Sequence, residues 1–396
     1  MLLPEERSRY ARHLLLPQVG EAGQERLREA SVLVVGAGGL GAPVLQYLAA
    51  AGVGRIGIVD DDVVSLSNLH RQILFGTDDV GQPKALVAAR ALQRLNPHVK
   101  LEPLVARLDT DNALDLIGSY DLVADGSDNF ATRYLVNDAC VLMGRANIYA
   151  SIYRFDGQVS VFGAENGPCY RCLFPEPPPP GTVPSCAEGG VLGVLPGMIG
   201  TLQATEVIKR ITGIGDALIG RLMMVDALSM EMRTLSVERD PDCPVCGDSP
   251  TITELQDYEA FCGMPADSGT SIDSTPTTKN GLSPMFFGPS VPEISATRLH
   301  EMKQSEEDFL LLDVRQPEEL SIADLGGTLV PMEELPARLG DVAPDKSATI
   351  VVMCRSGSRS AHAVAWMRQQ GYSNVVNLAG GIIGWSRDVD SSVAIY

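Results

Sequence analysis

What this chain lacks first is a surplus of positive charge. Its 396 residues hold 31 Lys and Arg against 50 Asp and Glu, a formal net charge of −19. Neutralising the phosphates of a nucleic acid takes the opposite balance, so a nucleic-acid partner is excluded. An apolar leader is also lacking. The start, MLLPEERSRYARH, is charged from Glu5 onward, with no hydrophobic stretch ahead of a small-residue cleavage site. No secretory signal is expected, and the chain reads as cytoplasmic. A membrane-spanning run is missing too. The longest uncharged stretch, residues 30–54, is punctuated by Gly36, Gly38, Gly39, Gly41, Pro43, Gly52 and Gly54. It divides into strand, turn and helix, the pattern of a buried βαβ unit. No internal repeat is present.

What the chain has is the composition of soluble globular domains, 45% hydrophobic and 20% charged, at a length that suits two of them. Strand-like runs at 32–35, 56–59, 99–104 and 121–124 alternate with helical patterns at 40–51, 84–95 and 129–143. Such alternation predicts an α/β fold, a Rossmann-like doubly wound sheet with helices on both faces. The pattern runs to about Val237, interrupted by the Pro-rich stretch 175–184, which reads as an extended surface loop. From Asp267 to Ser290 the composition turns to Ser, Thr, Gly and Pro, as in an interdomain linker. The expected division is a first domain over 1–250, a linker over 251–290 and a smaller α/β domain over 291–396. The last contains apolar runs at 309–314 and 349–353, the motif CRSGSRS, and a helix over 360–370.

GAGGLG, with Gly36, Gly38, Gly39 and Gly41, follows a strand and opens a helix. Glycines there let the backbone approach phosphates, whose charge is favoured at a helix N-terminus. Asp60 ends the next strand and is placed to accept hydrogen bonds from a ribose. This pair alone suits NAD as readily as ATP. Downstream, SLSNLHRQ, GQPKA and DGSDN add Asn68, Arg71, Gln72, Lys84 and Asp128. Two cations and a carboxylate serve a triphosphate with Mg²⁺ better than they serve hydride transfer. A zinc-containing NAD-dependent dehydrogenase would leave Arg71, Lys84 and Asp128 without a task. A degenerate module that only recruits a partner would not keep the whole charged set.

Without a secretory signal the eight cysteines are expected to stay reduced, so clusters point to metal or catalysis before disulfides. CYRC (Cys169, Cys172) and CPVC (Cys243, Cys246) are two chelating turns that together complete a closed structural Zn²⁺ site. Cys186, in VPSCAEGG, reads from spacing alone as a buried small apolar residue. Cys140 and Cys262 read as structural. Cys354 begins CRSGSR between a strand and a helix. Backbone amides and a helix N-terminus there, with Arg355 and Arg359 nearby, stabilise a thiolate and then a persulfide.

GAGGLG, DDDVVSLSNLHRQ, VGQPKA and DGSDNF, in this order, resemble the MoeB/ThiF family of ubiquitin-activating-enzyme-like adenylyltransferases, over residues 4–248. The resemblance implies ATP binding by the glycine loop, Asp60, Arg71, Lys84 and Asp128, with Mg²⁺ at Asp128. It also implies a homodimer in which Arg12 reaches the partner's ATP. It places zinc at the four paired cysteines and Cys186 in a crossover loop over the acyl-adenylate, as a covalent relay. Residues 291–396 resemble the rhodanese family, through LLLDVRQPEE, CRSGSRSA and NLAGGIIGW. The loop Cys354, Arg355, Ser356, Gly357, Ser358, Arg359 has the six-residue size of sulfurtransferases in that family. One departure is ADLGGTLVP (323–331), with Asp324 in place of a histidine, which bears on the shape of the donor entrance. The fusion resembles adenylyltransferase/sulfurtransferases of the MoeZ type. It implies adenylation of a ubiquitin-like sulfur-carrier protein ending in Gly-Gly, then sulfur transfer from a Cys354 persulfide to give a thiocarboxylate. The implied sulfur donor is a cysteine desulfurase or thiosulfate. Carriers of molybdopterin, thiamine, cysteine and tRNA-thiolation pathways all stay open.

Overall fold

Short apolar runs buried on both sides set the centre of the first sheet. In β1 (Ser31–Val35), Val32 and Val34 enter one core, whereas Leu33 and Val35 enter the other. A strand covered on both faces needs a continuous apolar run rather than an alternating one. Around it lie β2 (Arg55–Val59), β3 (Lys100–Leu104), β4 (Leu122–Asp125), β5 (Ala146–Tyr153), β6 (Asp156–Phe162), β7 (Arg221–Asp226) and β8 (Glu231–Ser236). Their order is β3-β2-β1-β4-β5-β6-β7-β8. The pairs from β3 to β5 are parallel, with Val35 opposite Val59 on one side and Asp125 on the other. β6, β7 and β8 continue the sheet antiparallel. The chain leaves β1 toward β2 and later returns to β4 on its other side, so a crevice opens at the carboxyl ends of β1 and β4.

This computed structural model describes residues 2–178, 190–262, 291–305 and 307–395. Cys186, the end of the Pro-rich stretch from 179, and the Ser/Thr/Gly/Pro stretch 267–290 lie outside the described residues. The chain divides into two units, Met1–Ala266 and Asp267–Tyr396. The first continues past the boundary expected at 250: Tyr258–Phe261 is a short helix, and Tyr258 is buried in the first unit's core. No helix among the described residues is long and apolar enough to cross a membrane.

In the second unit, β9 (Glu293–Ile294), β10 (Leu310–Asp313), β11 (Thr328–Leu329), β12 (Ile350–Met353) and β13 (Val375–Leu378) form a parallel sheet, order β11-β10-β12-β13-β9. β12 lies at its centre. Ile350 and Val352 point into one core, Val351 and Met353 into the other, and the chain emerges at Cys354.

Candidate functional site

The turn after β1 is tight enough to demand glycine. Gly36 has φ +87°, and a Cβ on Gly41 would lie 1.9 Å from the Gly36 carbonyl oxygen. The helix Gly41–Ala51 begins there, which puts its positive end at the carboxyl edge of the sheet. Asp60, just after β2, accepts from the Ala37 amide at 2.7 Å and from the Asp62 amide at 2.9 Å. Burial pushes its carboxyl pKa up, and the charge of Lys84 opposes that rise. Lys84, first in the helix Lys84–Leu95, is itself buried and donates from Nζ to Asp62 at 2.7 Å.

Arg71 and Gln72 are aimed by the turn before them, where the Asn68 carbonyl accepts both of their amides at 3.0 Å. A Cβ placed on Gly38 would be 3.5 Å from Gln72 Nε2, and one on Gly39 would be 3.8 Å from Arg71 Cδ. Both side chains therefore line the glycine turn. Gln72 Oε1 is buried with no partner among the described residues. Across the crevice, the turn after β4 touches the first: a Cβ on Gly36 would lie 3.1 Å from the Gly126 carbonyl oxygen. Asp128 is exposed on that turn, ahead of Asn129, which caps the helix Phe130–Leu142 by accepting from the Thr132 amide at 2.8 Å. Arg12 is exposed on the short helix Ala11–Leu14, next to Leu15 and Leu16, which are 71% and 50% exposed.

The two C-x-x-C turns meet. Cys169 and Cys243 sulfurs are 3.6 Å apart, Cys172 and Cys246 sulfurs 3.3 Å, and all four lie within 4.8 Å of one another. A Zn–S bond of about 2.3 Å makes the edge of a tetrahedron of sulfurs about 3.8 Å, so the set has the right size for that ion. Hydrogen bonding among the sulfurs, led by Cys169, lowers the pKa of the Cys172 thiol. Between Cys169 and Cys172 sits Arg171, fully buried, in a two-pronged pair with Asp138 at 2.8 Å from both Nε and Nη2. Asp138 also accepts from the Tyr258 hydroxyl at 2.9 Å. The guanidinium lies 4.8 Å from the Tyr134 ring centre and 4.6 Å from that of Phe261.

In the second unit β12 hands Cys354 to the start of the helix Ser358–Gln369. Gly357 takes φ +95° to make the turn, and its amide donates to Cys354 Sγ at 3.2 Å. The Ser360 hydroxyl lies 3.3 Å from the same sulfur. Cys354 is 1% exposed, whereas Arg355 is half-buried. Arg359 gives two guanidinium nitrogens to Glu319, at 2.7 and 2.6 Å. The atypical segment 323–331 is pinned from beneath: the buried pair Arg315–Asp313, at 2.7 Å, extends to the Ala323 carbonyl at 2.8 Å. Asp324 accepts from the Gly326 amide at 2.7 Å and so closes a local turn.

Residues 10–245 match the ThiF family. The chain belongs to that family. Residues 295–388 match the rhodanese-like domain. Among curated relatives, the sulfur carrier protein adenylyltransferase of Thermus thermophilus is 62% identical over 265 residues, covering 66% of this chain and 98% of that protein. The probable adenylyltransferase/sulfurtransferase MoeZ of Mycobacterium tuberculosis is 46% identical over 397 residues, covering 99% of this chain and 96% of that protein. The fold is shared with a crystal structure of E. coli MccB with MccA-N7isoASN. That likeness has a TM-score of 0.55 at 24% identity, over 61% of this chain and 74% of that one.

In the ThiF-family unit the glycine loop, Asp60 and Asp128 follow the carboxyl ends of β1, β2 and β4. Arg71 and Gln72 line the glycine turn, and Asn68 and Lys84 stand in the segment after β2. Several neighbours escaped sequence reasoning. Asp125 ends β4 fully buried, accepts from the Ser127 amide at 2.9 Å, and has its pKa raised by burial. Gln203, on the helix Leu195–Thr212, donates to the Asp125 carbonyl at 2.8 Å and the Ile148 carbonyl at 2.7 Å, bridging β4 and β5. Arg133 is buried and donates to the Ser127 carbonyl at 3.2 Å. Asp125 stands inside the DGSDN motif and Ser360 just beyond CRSGSR, so both were within reach of a motif reading. Gln203 and Arg133 carry no local signal.

Proposed function

We propose that this chain adenylates the C-terminal glycine of a ubiquitin-like sulfur-carrier protein and then converts it to a thiocarboxylate with sulfur held on Cys354. The carrying observation is a phosphate-type glycine turn lined by Arg71 and Gln72 beside the Asp60–Lys84–Asp62 cluster, in one chain with a sulfur that receives two hydrogen bonds at a helix start. ATP would lie along the glycine turn, its ribose toward Asp60 and its phosphates toward Arg71 and Lys84. Lys84 would exchange its bond to Asp62 for one to phosphate. The unpartnered Gln72 Oε1 fits a ligand that brings a donor to it. Mg²⁺, held by Asp128, would neutralise phosphate charge. The carrier carboxylate attacks the α-phosphorus and pyrophosphate leaves, turning a poor electrophile into an acyl-adenylate with AMP as leaving group. The outer sulfur of a Cys354 persulfide then attacks that carbonyl and AMP departs. The product is an acyl disulfide, and in this reading the Cys186 thiolate attacks its Cys354 sulfur. The S–S bond breaks, the carrier leaves as the thiocarboxylate, and a cellular thiol reduces the disulfide left behind.

Arg12, exposed beside Leu15 and Leu16, fits a homodimer in which it completes the partner's ATP site. Reduced thiols suit a cytoplasmic setting, with a cysteine desulfurase or thiosulfate as donor. The direct test is exchange of labelled pyrophosphate into ATP. Exchange should require a carrier ending in Gly-Gly and vanish when the last glycine is deleted. Exchange that ignores the carrier would overturn this reading.

Zinc belongs at Cys169, Cys172, Cys243 and Cys246, where it would tie the CPVC turn to the middle of the first unit. Metal binding of this kind is coupled to folding. Cys243→Ser should strip the metal and lower Tm. A destabilisation of about 3 kcal/mol corresponds to a drop of roughly 6–12 °C in a unit of this size. Metal analysis alongside calorimetry checks both, and full zinc content in the variant would remove Cys243 from the set.

A further inference from the structure

Ser360 stands one residue beyond the sulfur loop, and its hydroxyl is fully buried with two acceptors in reach. Cys354 Sγ lies 3.3 Å away and the Gly357 carbonyl oxygen 3.1 Å away. A hydroxyl carries one hydrogen, so it serves one of these acceptors at a time. Sγ also receives the Gly357 amide, at 3.2 Å. The amide is fixed by the backbone, whereas the hydroxyl can rotate.

We propose that Ser360 is a catalytic residue of sulfur transfer. Its hydroxyl hydrogen turns to Cys354 Sγ while that sulfur is a thiolate and to the Gly357 carbonyl once Sγ is bonded to a second sulfur. The inference rests on the reading of Cys354 as the sulfur-accepting nucleophile. A hydrogen bond to an ionised acceptor is roughly twice as strong as one between neutral groups. A neutral sulfur is a weak acceptor, so against it the carbonyl wins. In both states the buried hydroxyl stays bonded, so neither carries the cost of an unpaired polar group.

The chemistry defines when the hydrogen moves. With thiosulfate as donor, the Cys354 thiolate attacks the outer sulfur and a new S–S bond forms. The S–S bond of thiosulfate breaks and sulfite leaves with its electron pair. The negative charge now rests on the terminal sulfur, and Sγ is neutral. When a nucleophile such as cyanide takes the terminal sulfur as thiocyanate, the electron pair returns to Sγ. Ser360 then stabilises the departing thiolate. No external oxidant or reductant is involved in either step.

The test uses the full chain and no carrier. Ser360→Ala should lower the ultraviolet thiolate absorbance of the unloaded protein. It should also slow single-turnover discharge of the preloaded persulfide to cyanide by about tenfold, the scale of one hydrogen bond to a charged group. Ser360→Thr, which keeps the hydroxyl, should restore both. A purely structural serine would change Tm and leave absorbance and discharge at wild-type values, and that result overturns the proposal. Should Ser360→Ala fail to fold, Ser360→Cys, a weaker donor of similar size, must show both losses to a smaller degree; wild-type values there overturn it equally. Cys354→Ala serves as the separate control: persistent transfer in that variant would sink the Cys354 reading itself, whatever Ser360 does.

Discussion

An Asp128→Ala chain is expected to lose carrier-dependent pyrophosphate exchange by at least about 100-fold, the scale on which a single preorganised electrostatic contact acts in a transition state. Asp128 sits on the turn after β4, which touches the glycine turn at Gly36 and Gly126. Its carboxylate is exposed, whereas the nearby Asp125 is buried and bonded to its own turn. Of the two, Asp128 is the one able to meet a hydrated cation on a triphosphate. Exposure also predicts that the fold survives, with a stability change under about 0.5 kcal/mol. Circular dichroism and Tm should therefore match wild type while exchange collapses. Normal exchange would remove Asp128 from the metal-binding role. Mixing this variant with Arg12→Ala extends the result. If Arg12 acts across a dimer, one of the two sites in a mixed dimer regains both residues and exchange returns in part, once subunit exchange is demonstrated.

Cys354→Ala should take thiocarboxylate formation to background and leave pyrophosphate exchange near wild type. Cys354, the proposed nucleophile, lies just after β12 in the second unit, and every residue proposed to hold ATP lies in the first. Replacing a buried Cys by Ala removes one sulfur from a packed site, a cost of about 1 kcal/mol confined to that unit. Mass spectrometry of the carrier separates the outcomes. Carrier adenylate should accumulate in the variant and carrier thiocarboxylate should be absent. Thiocarboxylate formed at the wild-type rate from thiosulfate would break the proposed sulfur path, even with the second unit's rhodanese-like fold intact.

Local patterns were the legible part of this molecule. The helix expected over 84–95 is Lys84–Leu95, and the run expected over 32–35 is the core of β1. Both were visible because apolar periodicity and glycine punctuation act within a few residues. The glycine loop, the paired cysteines and CRSGSR were legible for the same reason. What escaped depends on tertiary contact. Arg171, inside CYRC, carries no local signal of its role, which is to pair with Asp138 more than thirty positions earlier. Tyr258–Phe261 is too short to announce itself as a helix and is held by packing on Tyr134 and by Asp138. That is why a linker expected from 251 begins as part of the first unit. Lys84 was read as a phosphate ligand, and its resting partner Asp62, two residues past Asp60, was overlooked. Gln203 bridges two strand ends from a helix far along the chain, which no periodicity could have foretold.

The buried Arg171–Asp138 pair has a practical consequence for anyone handling the protein. It holds the CYRC turn independently of the proposed zinc, so after a chelator strips that ion the loosened CPVC turn can still bring its two thiols back to Cys169 and Cys172. Their sulfurs are spaced 3.3 Å (Cys172 and Cys246) and 3.6 Å (Cys169 and Cys243) across the two turns. In air, dissolved oxygen would accept two electrons from either pair and leave a bridge where ligands had been. A chelated sample stored without reductant would then refuse zinc when it is offered back, and only a thiol reductant added first would reopen the site.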